Sequence, residues 1–156
     1  MVERSSSSHS ALRDDARERP FYARVVSGSP NLVGHWLLLG QADPDRLAMI
    51  LADTARIAKL GEPDATPDGA TLTAWSAGGT PPLWAARTAL FLLVQMPARP
   101  VPRNTDEACA WAYCWLRNRD FSDLESALRA LPDHLQERLE APLAAAWQDF
   151  RGQRLI

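Results

Sequence analysis

Apolar positions along this chain recur mostly at three- and four-residue intervals, the spacing of helices rather than strands. The longest apolar run, Pro81–Met96, lies between Gly78-Gly79-Thr80 and the prolines at 97, 100 and 102. Thr80 can cap it, and Pro81 or Pro82 suits a first helical turn, where a missing N–H is no loss. Leu83, Ala86, Leu90, Leu93 and Val94 form one stripe, and Trp84, Phe91 and Met96 widen it. A helix apolar nearly all round is predicted to be the central core helix, buried on every side.

The same reading places helices on either side. Asp43 caps, Pro44 opens and Gly61 closes a helix over Asp43–Leu60, with Leu47, Ile50, Leu51, Thr54, Ile57 and Ala58 as its stripe. Glu62–Gly69 is a loop, and Ala70–Ala77 is a short element around Leu72 and Trp75. Asn104 caps a helix running to Arg117, and Glu107 can return a bond to the cap backbone as in a capping box. Ser122 with Glu125 repeats that signal ahead of Leu124, Ala127, Leu128 and Leu131. Pro132 begins a further turn or helix, and Pro142 opens a last one carrying Leu143, Ala146, Trp147 and Phe150.

Residues 20–39 allow two readings. Phe21–Val26 alternates like a strand, Ser27-Gly28-Ser29-Pro30 is a turn signal, and Leu32–Leu39 could complete a hairpin. The preferred reading makes the second piece a helix capped by Ser29, opened by Pro30 and closed by Gly40. Residues 1–19 read as a serine-rich, charged tail, and 20–156 as one helical domain. The predicted class is all-α, a compact single-domain bundle of about six helices.

Composition changes this picture little. With 46% hydrophobic residues and a net charge of -2, nothing drives the chain toward nucleic acid or acidic membranes. No apolar leader is visible and no run reaches the ~20 residues a membrane span needs. Cys109 and Cys114 lie five residues apart on one predicted helix, about 140° apart around its axis, so reduced cytoplasmic thiols are expected.

Few residues of the chain are spaced for chemistry. His9, His35 and His134 make no helical metal clamp, and no metal or cofactor is expected. Trp75-Ser76-Ala77-Gly78-Gly79 lacks the first glycine of a nucleophile elbow, and Gly78-Gly79-Thr80 lacks the lysine of a phosphate loop. Asp14/Asp15 falls in the tail, while Asp106/Glu107 suits a helix first turn, where acids complement the dipole. No catalytic residue is assigned, and the chain is read as a non-enzyme.

Ala108–Leu116 is more informative, because two faces are apolar rather than one. Ala108, Trp111, Ala112 and Trp115 make the first; Cys109, Ala110, Tyr113 and Cys114 make the second. Arginines flank both ends, and residues 120–150 hold seven acids against two bases. Tryptophan, tyrosine and arginine are the residues enriched at interface hot spots. One reading makes this helix the middle of the bundle; the other leaves one face for a partner. On the second, Arg99, Arg103, Trp111, Tyr113, Arg117 and Arg119 are the partner-binding residues. The expected function is a bacterial-type cytosolic protein–protein interaction domain: an adaptor, a small assembly subunit or an immunity-type inhibitor. Its partner would be acidic and partly apolar, or a second copy of the chain.

The alternative function rests on a resemblance. Ile57-Ala58-Lys59-Leu60-Gly61 closes one helix, and Trp75-Ser76-Ala77-Gly78 closes a later one with tryptophan-x-x-glycine. This resembles the ending of a repressor-type helix-turn-helix module, which implies a DNA-binding regulator. The chain departs from that pattern in two places. The intervening turn is long and holds Pro63 and Pro67, and Ala70–Ala77 has no Arg, Lys, Asn or Gln to read a base edge.

Overall fold

The computed structural model describes residues 20–154, so the expectations for residues 1–19 lie outside the described residues. The described residues form seven helices: α1 (Pro20–Leu39), α2 (Pro44–Ala58), α3 (Gly69–Ser76), α4 (Leu83–Leu93), α5 (Thr105–Asn118), α6 (Leu124–Arg129) and α7 (Asp133–Arg154). The all-α bundle expected from the periodicity is present, and no strand occurs among the described residues.

The hairpin reading of residues 20–39 is corrected: they form one 20-residue helix with Pro30 inside it. Ser27-Gly28-Ser29-Pro30 marks a helix crossing rather than a turn. A Cβ on Gly28 would fall 2.0 Å from the Asp106 carbonyl oxygen, so only glycine lets α1 meet the start of α5 there. Ser27 Oγ donates to Asp106 Oδ2 at 2.8 Å across the same crossing. Ser29 does not cap; its Oγ donates back to the Val25 carbonyl at 2.8 Å. Pro142, likewise, lies within α7 instead of opening a separate helix.

The caps are mostly where local chemistry puts them. Asp43 Oδ1 accepts from Arg46 N at 3.0 Å, Asp68 Oδ1 from Thr71 N at 2.8 Å, and Asn104 Oδ1 from Glu107 N at 2.8 Å. Two expectations fail. Asp123, not Ser122, caps α6, accepting from Ser126 N at 2.7 Å. Thr80 does not cap α4, which starts after Pro82 without any side-chain cap. α2 stops before Gly61: Lys59 takes the left-handed conformation at φ 58, and Leu60 N donates to the Ala55 carbonyl. Gly61 is needed for another reason, since a Cβ there would lie 2.4 Å from Trp84 Cβ at φ +141.

The centre of the bundle is α5, not the run at Pro81–Met96. Ten consecutive residues, Glu107 to Leu116, are buried. α1, α4 and α7 pack around α5, while α3 closes against α1, and α2 packs on α3 and α4. α4 contributes Ala85, Ala86, Ala89, Leu90 and Leu93 to the core but leaves Leu83 39% exposed and Phe91 half-buried. α7 contributes Leu135, Leu139, Leu143 and Ala146, all fully buried. No described helix is long and apolar enough to cross a membrane.

Candidate functional site

The residues expected to bind a partner divide when placed in the fold. Trp111 is fully buried and Tyr113 is 6% exposed, so neither is presented at the surface. Both apolar faces of α5 are covered by this chain itself. The face with Trp111 enters the main core, and Cys109 and Tyr113 pack with Val25, Phe21 and Tyr22 of α1. The Tyr22 and Tyr113 rings meet edge-on at 5.7 Å. α1 is one long helix, and its first turns lie over the Cys109 and Tyr113 face of α5.

The arginines also divide. Arg99 is exposed, and its left-handed backbone at φ 53 turns the proline-rich connector, with Arg99 N donating to the Met96 carbonyl. Arg117 lies 5.9 Å from the Tyr113 ring centre and Arg119 5.0 Å from that of Trp115, so both are exposed cations resting on ring faces. Trp115 donates Nε1–H to the Ala127 carbonyl at 3.0 Å and stacks with Phe121.

Arg103 serves an internal network. Its Nε donates to Glu107 Oε1 at 3.1 Å and its Nη2 to the Asn31 carbonyl at 2.9 Å. Glu107 is fully buried, the only buried carboxylate among the described residues. Its Oε2 accepts from Trp111 Nε1 at 2.9 Å and lies 2.6 Å from His35 Nδ1. Burial would raise the Glu107 carboxyl; hydrogen bonds and charge from His35 and Arg103 outweigh it and hold the group below its ordinary value. Arg103, the exposed end of the network, lines a surface cleft with Asn31 and Gly34. The network ties α1 to α5. The sequence carried two traces of it: a histidine inside the apolar run Leu32–Leu39, and a glutamate three residues after a cap that turns inward instead of back.

The thiols are equally enclosed. Cys109 and Cys114 are free and buried. Burial pushes Cys114 up to about 12, and burial chiefly raises Cys109 as well, so neither is poised as a thiolate at neutral pH. No group of three or more metal-ligating side chains gathers among the described residues.

The feature missed from the sequence lies on α2. Its buried face is Leu47, Ala48, Leu51, Ala52 and Ala55, rotated away from the stripe expected. Ile57 is 82% exposed, Met49 45% and Ile50 36%, all on the outward side with Arg46, Asp53 and Arg56. Alanines let α2 sit close to its neighbours, so the core is filled by small side chains and the large ones are left outside. α3 presents Ala70, Thr73 and Ala74 to solvent, while Trp75 meets Trp84 edge-on at 6.0 Å.

No protein-family model, curated protein or solved structure matches this chain.

Proposed function

We propose that this chain is a non-catalytic protein–protein interaction domain that docks an acidic, partly apolar surface on the outer side of α2. The observation that carries this reading is Ile57, 82% exposed and one heptad from the exposed Ile50, with Met49 beside them. Isolated apolar residues on a surface are ordinary, but three on one outward helix face form a stripe of the kind that partners cover. Arg46 and Arg56 flank the stripe, and Asp53 within it is already engaged by Arg56 at 3.1 Å. The α2 stripe takes the place of the Trp111 and Tyr113 face. DNA binding through α3 finds no cation or amide among the side chains that helix presents.

The test is co-purification from the native host, read by quantitative mass spectrometry, together with sizing over a range of concentrations. Ile50→Asp with Ile57→Asp is compared with wild type and with Glu137→Lys, a control on exposed α7 surface. A partner, or a self-associated species, held by wild type and control and lost from the double variant supports the reading. A double variant with unchanged partners and mass overturns it. Circular dichroism should not change, and Ile57→Asp alone, at a position 82% exposed, should melt as wild type; Ile50 is 36% exposed and partly covered.

A further inference from the structure

A cleft opens where the end of α2, the loop that follows it and α4 come together. Arg56, Lys59, Gly61, Glu62, Pro63 and Arg87 line it, and its volume is about 660 Å³. That size falls within the range of small-molecule sites. The lining holds three cations against one carboxylate. It has no aromatic ring, and Pro63 is its only apolar side chain. A compact, polar, negatively charged ligand fits this chemistry; a nucleobase or an acyl chain has nothing to rest on.

Two of the cations are held in place before any ligand arrives. Arg56 donates Nη1–H to Asp53 Oδ1 at 3.1 Å and Nη2–H to Thr66 Oγ1 at 3.3 Å, which spans α2 and the loop. Arg87 donates Nε–H to Asn118 Oδ1 and Nη2–H to the Arg117 carbonyl, both at 2.9 Å. Asn118 Nδ2 returns a bond to the Arg87 carbonyl at 3.1 Å. Both acceptors of Arg87 are neutral, and its Nη1 has no acceptor among the described residues. Partial burial, and then the neighbouring Arg117 charge, lower its affinity for its proton. A half-buried guanidinium ordinarily has a carboxylate partner, and this one has none among the described residues.

Lys59 adds the third charge. It is the only lysine of the chain, and it forms no ion pair among the described residues. It is held in a left-handed backbone at φ 58 and ψ 47, a conformation that glycine takes more easily. The carbonyl ends of α2 and α5 lie near these cations, which explains how three positive groups gather here, yet carbonyl dipoles do not neutralise them.

We propose that this cleft binds a small phosphate monoester through Arg56, Lys59 and Arg87. A guanidinium fork with a free nitrogen suits two phosphate oxygens, and the ammonium adds a point charge. Glu62, on the same wall, opposes the ligand and sets a limit on affinity. The inference does not depend on the docking face of α2.

The test is titration of the full chain with inorganic phosphate at neutral pH, chloride replacing phosphate at constant ionic strength, followed by amide and arginine-Nε NMR. Expected are saturable shifts at Lys59, Gly61 and the Arg87 side chain. Glycerol phosphate should give the same shifts. Lys59→Gly and Arg87→Lys should each weaken the affinity about tenfold, the scale of one charge-assisted contact. Glu62→Gln should tighten it. Lys59→Gly should melt no lower than wild type, because glycine accepts the left-handed backbone, so its loss of binding cannot come from unfolding. Shifts that do not saturate, shifts that chloride reproduces, or wild-type affinity in both cation variants would overturn the proposal.

Discussion

His35 Nδ1 lies 2.6 Å from Glu107 Oε2, joining residues 72 apart in sequence inside the bundle. His35 is 6% exposed and Glu107 fully buried. Arg103 and Trp111 supply the remaining donors, and Asn104 fixes the backbone of Glu107 at the same place. A buried carboxylate with three side-chain donors is tolerated because its lone pairs are filled; with one donor removed, the others face an unmatched charge or hole.

Glu107→Ala should therefore cost about 3–5 kcal/mol, the range for breaking a buried ionic network from one side. Urea denaturation followed by tryptophan fluorescence measures it. Arg103→Glu should also destabilise, because it sets a second carboxylate against the first; an unchanged midpoint in either variant would show that the network carries no stability.

The same group sets an acid limit. Its folded-state pKa lies below the ordinary 4.5, so the unfolded chain binds the proton more readily. Stability is then fully present above about pH 4.5 and is lost as pH falls through the depressed value. Asp68 and Asp123, held low chiefly by backbone hydrogen bonds from Thr71 and Ser126, act in the same direction. Urea midpoints across the acid range should fall for wild type and fall less steeply for Glu107→Gln.

Gly28→Ala should destabilise although alanine is the better helix former. The new methyl would sit 2.0 Å from the Asp106 carbonyl oxygen and 2.8 Å from the Glu107 nitrogen, both backbone atoms that cannot swing aside. α1 and α5 must move apart, and the loss should reach about 1–3 kcal/mol or more, the scale of overpacking. Thermal melting decides; a rise of the size helix propensity alone predicts would show that the crossing is looser.

His134→Leu should stabilise. Both ring nitrogens of His134 are buried without a hydrogen-bond partner. An apolar side chain of similar size removes that penalty, a gain of about 1–3 kcal/mol. A lower melting temperature for the variant would mean that the imidazole has a partner in solution.

Phe91 and Trp111 test the position of the core. Phe91→Ala, in the run that looks central from periodicity, should cost less than Trp111→Ala, since Phe91 is half-buried and Trp111 fully buried. Full burial places Trp111→Ala in the ~3–5 kcal/mol range of large core truncations. Equal losses would return the centre to α4.

The sequence by itself determined the helical class and most of the helix starts. Asp43, Pro44 and Asn104 act on backbone groups within four residues, so their effect is written locally. It could not decide which apolar face is covered. Ile50 and Ile57 belong to the periodic stripe of α2, yet the alanine side faces inward, because small side chains let the helices approach more closely. Both faces of α5 look equally free until α1 and its Gly28 bring one long helix across them. Glu107 reads as half of a capping box until His35 arrives from another helix. Caps and periodicity are short-range, whereas burial and pairing depend on which distant segments reach the same volume, and only the tertiary structure settles that.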